Sequence, residues 1–311
     1  MALHGLADMT LGVRDVHAVG GFYDQFGLSA TGAGASAGRF ATQEGGEQLR
    51  IVAHPHRRLL AVTVAADDAD DVDRVRGAAA AHDVELSEHP DGSVSVVEPN
   101  VGVRITVAIR PRIQQVRLLT PDTNAPAHVA RPDARAPAIF RSGAVSPRRL
   151  GHVLYGTPDI EASTRFLIDV VGFKLSDASP GIIAFLRCSA DHHNIGLMSS
   201  PVPFFHHSSW QVNDVDEIGQ GAQHMMTNFE GCSAWGLGRH FLGSNFFWYL
   251  RDPAGNFAEY YADLDQIVDD DAWVARNWAP DKSLYAWGPA VPMEFISPPD
   301  LEEIAAAMAA A

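Results

Sequence analysis

Residues 156–173 read Gly-Thr-Pro-Asp-Ile-Glu-Ala-Ser-Thr-Arg-Phe-Leu-Ile-Asp-Val-Val-Gly-Phe, and residues 12–28 read Gly-Val-Arg-Asp-Val-His-Ala-Val-Gly-Gly-Phe-Tyr-Asp-Gln-Phe-Gly-Leu. Both follow a strand-like apolar run, and both carry an Asp suited to an N-cap (Asp15, Asp159). An aromatic follows (Phe22, Phe166), and a glycine closes the helix (Gly27, Gly172). The stretch decides the fold because it recurs. Two further copies of strand then helix fall at Leu59–Ala66 with Asp67–Ala80, and at Ser208–Val212 with Asp214–Met226.

The units start near residues 6, 59, 149 and 205, and each continues into two or three closing strands. Asp91-Gly92 and Pro253-Ala254-Gly255 mark turns in units two and four. A βαβββ unit exposes one apolar sheet face and must pair to bury it. The fold class expected is therefore α+β, with two domains each of two paired βαβββ modules. The boundaries read 1–110 for the N-terminal domain, 111–148 for a proline-punctuated surface connection (Pro111, Pro121, Pro126, Pro132, Pro137, Pro147), 149–263 for the C-terminal domain and 264–311 for a tail. Within that tail Asp263–Trp278 is expected to be helical, Trp287 to Pro299 extended, and Leu301–Ala311 a short terminal helix.

Bulk properties exclude several function classes. A length of 311 residues suits two domains at ~100–200 residues each. A formal net charge of −15 argues against nucleic-acid or anionic-membrane partners. No apolar run approaches the ~18 residues of a membrane span, and no leader pattern is visible, so a cytoplasmic location is expected. Two cysteines, Cys188 and Cys232, rule out a disulfide framework and suit a reducing compartment.

The chemistry gathers in the third and fourth units. Residues 246–261 read as a hairpin whose strands carry Tyr249 and Glu259 among apolar residues, with His240 shortly before. A buried carboxylate is costly without a cation, so Glu259 calls for an Arg, a Lys or a metal. The repeat places His152 and His207 at like positions on the first strands of the paired units. A lone strand histidine is ordinarily a satisfied core or surface residue. The N-terminal copy acts as an internal control: Asp8 stands where His152 falls, Ala61 where His207 falls, and no acidic residue matches Glu259. The fold does without these groups, so in the second copy they serve chemistry. Two histidines and a carboxylate around one pocket match a facial triad with open positions on Fe(II). Ile183, Phe185, Phe204, Trp210 and Phe246 are candidates for the apolar walls.

Leu-Gly-His at 150–152, the pairs His192-His193 and His206-His207, Gly-Arg-His at 238–240 and the hairpin 249–260 resemble the vicinal oxygen chelate superfamily. Within it they are similar to the type I extradiol ring-cleaving dioxygenases. The spacing of nine from His240 to Tyr249 and ten from Tyr249 to Glu259 carries the resemblance most strongly. The connection and the Trp-Gly-Pro tail look like the subgroup acting on substituted catechols of the dihydroxybiphenyl and dihydroxycumate types. The resemblance implies that His152, His207 and Glu259 bind Fe(II), with Mn(II) the second choice, and that His193 is the acid/base histidine. It implies that His240 and Tyr249 position the ring hydroxyls. One departure stands out: where some relatives carry Asn-Asp after this histidine, Phe241-Leu242-Gly243-Ser244 follow His240, leaving its partner open. Catechol and dioxygen are the expected substrates, in aromatic catabolism, with a homo-oligomer expected. A glyoxalase-type isomerase or epimerase, and a metal-free binding module of the same fold, remain alternatives.

Overall fold

A computed structural model describes residues 3–34, 36–118 and 122–309. The first half runs β1 (Leu3–Val13), α1 (Val16–Gln25), β2 (Ser29–Gly34), β3 (Ala37–Thr42), β4 (Gly46–Ala53), β5 (Arg58–Ala66), α2 (Ala69–Ala81), β6 (Leu86–Glu88), β7 (Val94–Val97) and β8 (Arg104–Ile109). After the connection come β9 (Arg149–Thr157), α3 (Ile160–Phe166), β10 (Lys174–Ser179), β11 (Ile183–Arg187), β12 (Ile195–Ser199), β13 (Phe204–Gln211), α4 (Val215–Asn228), β14 (Ser233–His240), β15 (Phe246–Arg251) and β16 (Phe257–Ala262). The tail adds β17 (Arg276–Asn277), β18 (Tyr285–Trp287), α5 (Met293–Ile296) and α6 (Leu301–Ala309). The fold is thus the α+β arrangement of four βαβββ modules that the repeats imply.

Each module helix starts the same way. Asp15, Asp68, Asp159 and Asp214 accept from the backbone N–H three residues on, at 2.9, 3.1, 2.9 and 2.9 Å. Gly27 follows α1 at φ +99°, and Gly172, at φ +95°, closes the π-helical turn Leu167–Val171 that continues α3; L side chains avoid this region. At Gly27 a Cβ would also lie 1.7 Å from the Val145 carbonyl, where the connecting segment crosses.

Modules pair edge to edge through their first strands. β1 lies antiparallel to β5, giving the order β2-β3-β4-β1-β5-β8-β7-β6. β9 lies antiparallel to β13, giving β17-β10-β11-β12-β9-β13-β16-β15-β14-β18. The halves share one core. Phe26, the residue after α1, stacks on Tyr260 at 3.9 Å, and Tyr260 donates its hydroxyl to the Phe26 carbonyl at 2.7 Å. Tyr23 packs edge-on to Trp210. Trp210 is therefore buried against the N-terminal half. On a strand, side chains alternate, so His207 and Ser209 face the other way, into the C-terminal sheet.

The tail differs from expectation. Residues 263–278 form no helix. Their backbone is satisfied by the surrounding loops instead: His192 N donates to Asp265 O at 2.9 Å, Asp265 N to Gly243 O at 2.9 Å and Ile267 N to Ala190 O at 2.6 Å. Leu264 and Ile267 are buried, while Asp263, Asp265 and Asp269–Asp271 are poor helix formers. β17 then adds to β10 and β18 to β14, the two opposite edges of the sheet, so residues 278–284 bridge its open side. The extended stretch expected over 287–299 contains the short helix α5. The terminal helix forms over Leu301–Ala309, and Ala310–Ala311 lie outside the described residues. No described helix is long and apolar enough to cross a membrane.

Candidate active site

Strand register builds the centre. Ser209 on β13 pairs with His152 on β9 and with Glu259 on β16, while His207 lies two residues earlier on the same strand. Three adjacent strands thus point three side chains at one spot. One donor atom from each of His152, His207 and Glu259 lies within 4.8 Å of the others. All three are buried, and Glu259 is 0% exposed. The N-terminal sheet repeats the register without the chemistry: Thr63 pairs with Asp8 and with Thr106, and Ala61 takes the place of His207. There Thr63 Oγ1 simply donates to Asp8 Oδ1 at 3.0 Å.

The donor set fits a divalent metal. Asn245 Nδ2 donates to Glu259 Oε1 at 3.1 Å, which leaves Oε2 to the cluster. Glu259 Oε2 lies 3.1 Å from His152 Nε2 and 3.6 Å from His207 Nε2. Neither Oε2 nor His207 Nε2 has a hydrogen-bond partner among the described residues. A buried carboxylate oxygen and an imidazole lone pair left open toward each other are stabilised by a shared cation. Two nitrogens and one oxygen suit Fe(II) or Mn(II). Burial raises the Glu259 carboxyl, but its contacts with His152 and His240 and the charge of His207 outweigh that and hold it well below the usual carboxylate range.

His193, His240 and Tyr249 border the same cavity, of about 280 Å³. His240 Nδ1 lies 2.6 Å from the Leu284 carbonyl. A carbonyl only accepts, so Nδ1 carries the hydrogen and Nε2 of the neutral ring is an acceptor. Tyr249 donates its hydroxyl to that Nε2 at 2.9 Å. Burial, then the negative charge of Glu259, push the Tyr249 hydroxyl far above its ordinary pKa. The same logic orders a second chain. The Asp177 carboxylate only accepts, so His192 donates to it from Nε2, and His192 Nδ1 accepts from His193 Nδ1 at 3.0 Å. His193 therefore keeps the lone pair of Nε2, the nitrogen away from His192. Burial, then the adjacent His152, push its pKa well below the imidazole value.

Other partners are not visible in the sequence. The open partner of His240 is the Leu284 carbonyl of the tail. Asn245, Asp177 and Phe295 also belong to the centre, each through a tertiary contact that no local pattern announces. Ile183 and Phe185 line the cavity, as do Leu154, Leu242 and Phe295. Phe204, Trp210 and Phe246 are not among its walls. Trp210 faces the shared core, Phe204 lies beneath the Arg57 guanidinium, and Phe246 lies under Arg239 at 3.7 Å.

Paired βαβββ modules around a buried two-histidine, one-carboxylate cluster that could hold a metal ion define an enzyme fold of the oxygen-chelating type. Residues 149–260 match the Glyoxalase/Bleomycin resistance protein/Dioxygenase superfamily. The chain is 34% identical over 304 residues to "Metapyrocatechase 2" of Cupriavidus necator, covering 95% of this chain and 92% of that one. It is 30% identical over 154 residues to an "Iron-dependent extradiol dioxygenase" of Rhodococcus jostii, covering 45% of this chain and 50% of the relative. The fold is also that of a Mn(II)-bound glyoxalase from Novosphingobium aromaticivorans, at a TM-score of 0.75 and 24% identity over 96% of this chain and 95% of that one. The chain belongs to the extradiol dioxygenases of this superfamily.

Proposed function

We propose that the enzyme cleaves the ring of an uncharged, substituted catechol beside its two hydroxyls, with dioxygen, at a single Fe(II) held by His152, His207 and Glu259. The observation carrying this is that Glu259 Oε2 and His207 Nε2, both without a hydrogen-bond partner among the described residues, face each other beside a cavity lined by His152, His193, His207, His240 and Tyr249. The relative in Rhodococcus jostii, named as iron-dependent, supports Fe(II).

When bound there, Fe(II) supplies a Lewis-acid centre with open positions, which lowers the pKa of an oxygen ligand. The protein's own groups handle the protons. Tyr249 stays protonated, so its hydroxyl can turn from His240 to an anionic ring oxygen. His240 Nε2 is then free to accept a hydroxyl hydrogen, with its ring held by Leu284. His193 Nε2, with Nδ1 committed to His192, takes a second proton and can return it later in the reaction. Apart from His206 and Ser283 the remaining wall is apolar. Among the described residues it contains no Lys, Arg, Asp or Glu, which gives a charged ring substituent no partner.

The buried thiols Cys188 and Cys232 support a reducing, cytoplasmic setting. Exposed Val129, Ile139 and Phe140 on the connecting segment support contact between copies in a homo-oligomer. The test of function uses anaerobically purified protein loaded with Fe(II) or Mn(II). Oxygen uptake with a yellow ring-fission product is expected from alkyl- or aryl-substituted catechols, best with Fe(II). No uptake and no colour across a broad catechol panel, with either metal, would sink the reading.

A further inference from the structure

His206 precedes a proposed metal ligand and lies outside the proton handling above. It sits in a β-bulge: Phe205 pairs with Tyr155 and His207 with Leu154, so two neighbours on β9 face three residues of β13. The bulge breaks the alternation that would send consecutive side chains to opposite faces, and both imidazoles border the cavity. His206 is 3% exposed, and both of its nitrogens are engaged. Nε2 lies 2.7 Å from the Phe295 carbonyl of α5, and Nδ1 lies 2.7 Å from His207 Nδ1.

These contacts fix hydrogens. The carbonyl only accepts, so His206 Nε2 is the N–H, and Nδ1 of the neutral ring is an acceptor. His207 must then donate from Nδ1, which leaves its Nε2 as a lone pair, 3.6 Å from Glu259 Oε2. In the opposite tautomer His206 would turn a lone pair on the Phe295 carbonyl, and its Nδ1–H would force the His207 hydrogen onto Nε2, closing the donor. The carbonyl is delivered by packing. The Phe295 ring, 4% exposed, sits among Trp235, Tyr249 and Phe257 at 4.9, 4.6 and 5.0 Å. Farther along the tail, Asp300 grips the buried Arg57 through two hydrogen bonds, and Arg57 Nη1 donates to the Phe205 carbonyl beside His206.

We propose that His206 is a positioning residue for the metal: with the Phe295 carbonyl it holds His207 in its Nδ1–H tautomer, so docking of the C-terminal tail and metal affinity are coupled. The inference rests on the reading of His207 and Glu259 as metal ligands. Partners that orient a metal-binding histidine are typically worth about 10–100-fold in affinity.

The test measures anaerobic Fe(II) affinity of the full chain by chelator competition, and the His207 tautomer in the metal-free protein by nitrogen-15 NMR of labelled histidine. His206→Leu should weaken binding by about 10–100-fold and lose the Nδ1–H signature. His206→Asn, whose Oδ1 can accept from His207 Nδ1, should restore most of both, although it packs less well than Leu. Phe295→Ala should weaken binding in the same direction as His206→Leu. Binding by His206→Leu within twofold of the parent, while Glu259→Ala loses the metal, overturns the inference alone. Unchanged affinity in Glu259→Ala overturns the ligand reading and this inference with it. Equal losses in His206→Leu and His206→Asn, with the Nδ1–H tautomer intact in both, would show a packing role and also overturn it.

Discussion

Asp177 Oδ2 accepts a hydrogen bond from His192 Nε2 at 3.0 Å, inside a protein wall where Asp177 is 5% and His192 0% exposed. The carboxylate is held on its other oxygen by the tail, through Arg276 N at 2.9 Å and Trp278 Nε1 at 3.1 Å. A fixed acceptor of this kind sets the His192 tautomer, and His192 in turn sets that of His193. The orientation of the proposed acid/base thus traces back to a carboxylate two side chains away. Asp177→Ala should lower kcat by about 10–100-fold, below the ~10²–10⁴ of a full acid/base deletion, with KM and iron affinity little changed. Steady-state kinetics on iron-saturated protein check this, and an unchanged kcat would mean that the chain of hydrogen bonds is idle.

Metal content and turnover should separate the site residues. His207→Ala and Glu259→Ala each remove one of three donors, so purified protein should carry little iron and show little activity. His193→Ala should retain iron and lose about 10²–10⁴-fold in kcat. Metal analysis beside oxygen-uptake rates decides it. Normal iron content in Glu259→Ala, or normal turnover in His193→Ala, would contradict the roles assigned.

The modules were legible because their signals are local. Asp15, Asp68, Asp159 and Asp214 cap their helices by contacts within three residues, and such contacts leave a sequence pattern. The residues that converge at the centre were legible through repetition, since Ala61 and Thr106 show the same register without donor groups. The tail was not. Its path is dictated by Asp177, Gly243 and Ala190, residues far away in sequence, and its acidic run carries no periodicity. The wall residue Trp210 was misplaced for a different reason. Alternation puts it opposite His207, but the aromatic character of β13 suits a shared core and a substrate cavity equally well. The His206 bulge is likewise a property of pairing with β9.

Substrate charge should matter more than substrate size. The cavity of about 280 Å³ is lined by His, Tyr, Ser, Pro and aliphatic or aromatic side chains, with no Lys or Arg among the described residues. Bringing an ionised carboxylate into such a wall costs at least a few kcal/mol, equivalent to about 100-fold in kcat/KM. Catechols with alkyl or aryl substituents should therefore exceed equally sized carboxylated catechols by about that factor. Comparable kcat/KM values for the two series would show that a cation reaches the substrate by a route the cavity wall does not reveal.

Asp252, in the turn between β15 and β16, should give stability an unusual pH dependence. Its carboxyl accepts from Ala254 N, Asn256 N and Asn256 Nδ2 at 2.9 Å each, yet burial dominates and raises its pKa from 3.8 to about 6. A raised folded-state pKa means that the folded chain binds this proton more tightly than the unfolded chain. The resulting stabilisation is complete below the unfolded pKa and is lost as pH rises through about 6. The shift corresponds to about 3 kcal/mol between the limits. Asp252→Asn cannot titrate, so the stability of the parent relative to this variant should fall as pH rises from 4 to 7. The fixed offset from replacing the carboxylate is separate, and only the slope bears on the claim. Urea unfolding of both metal-free proteins across that range measures it. A flat difference would place the Asp252 pKa near its unfolded value, and a rising one would place it below.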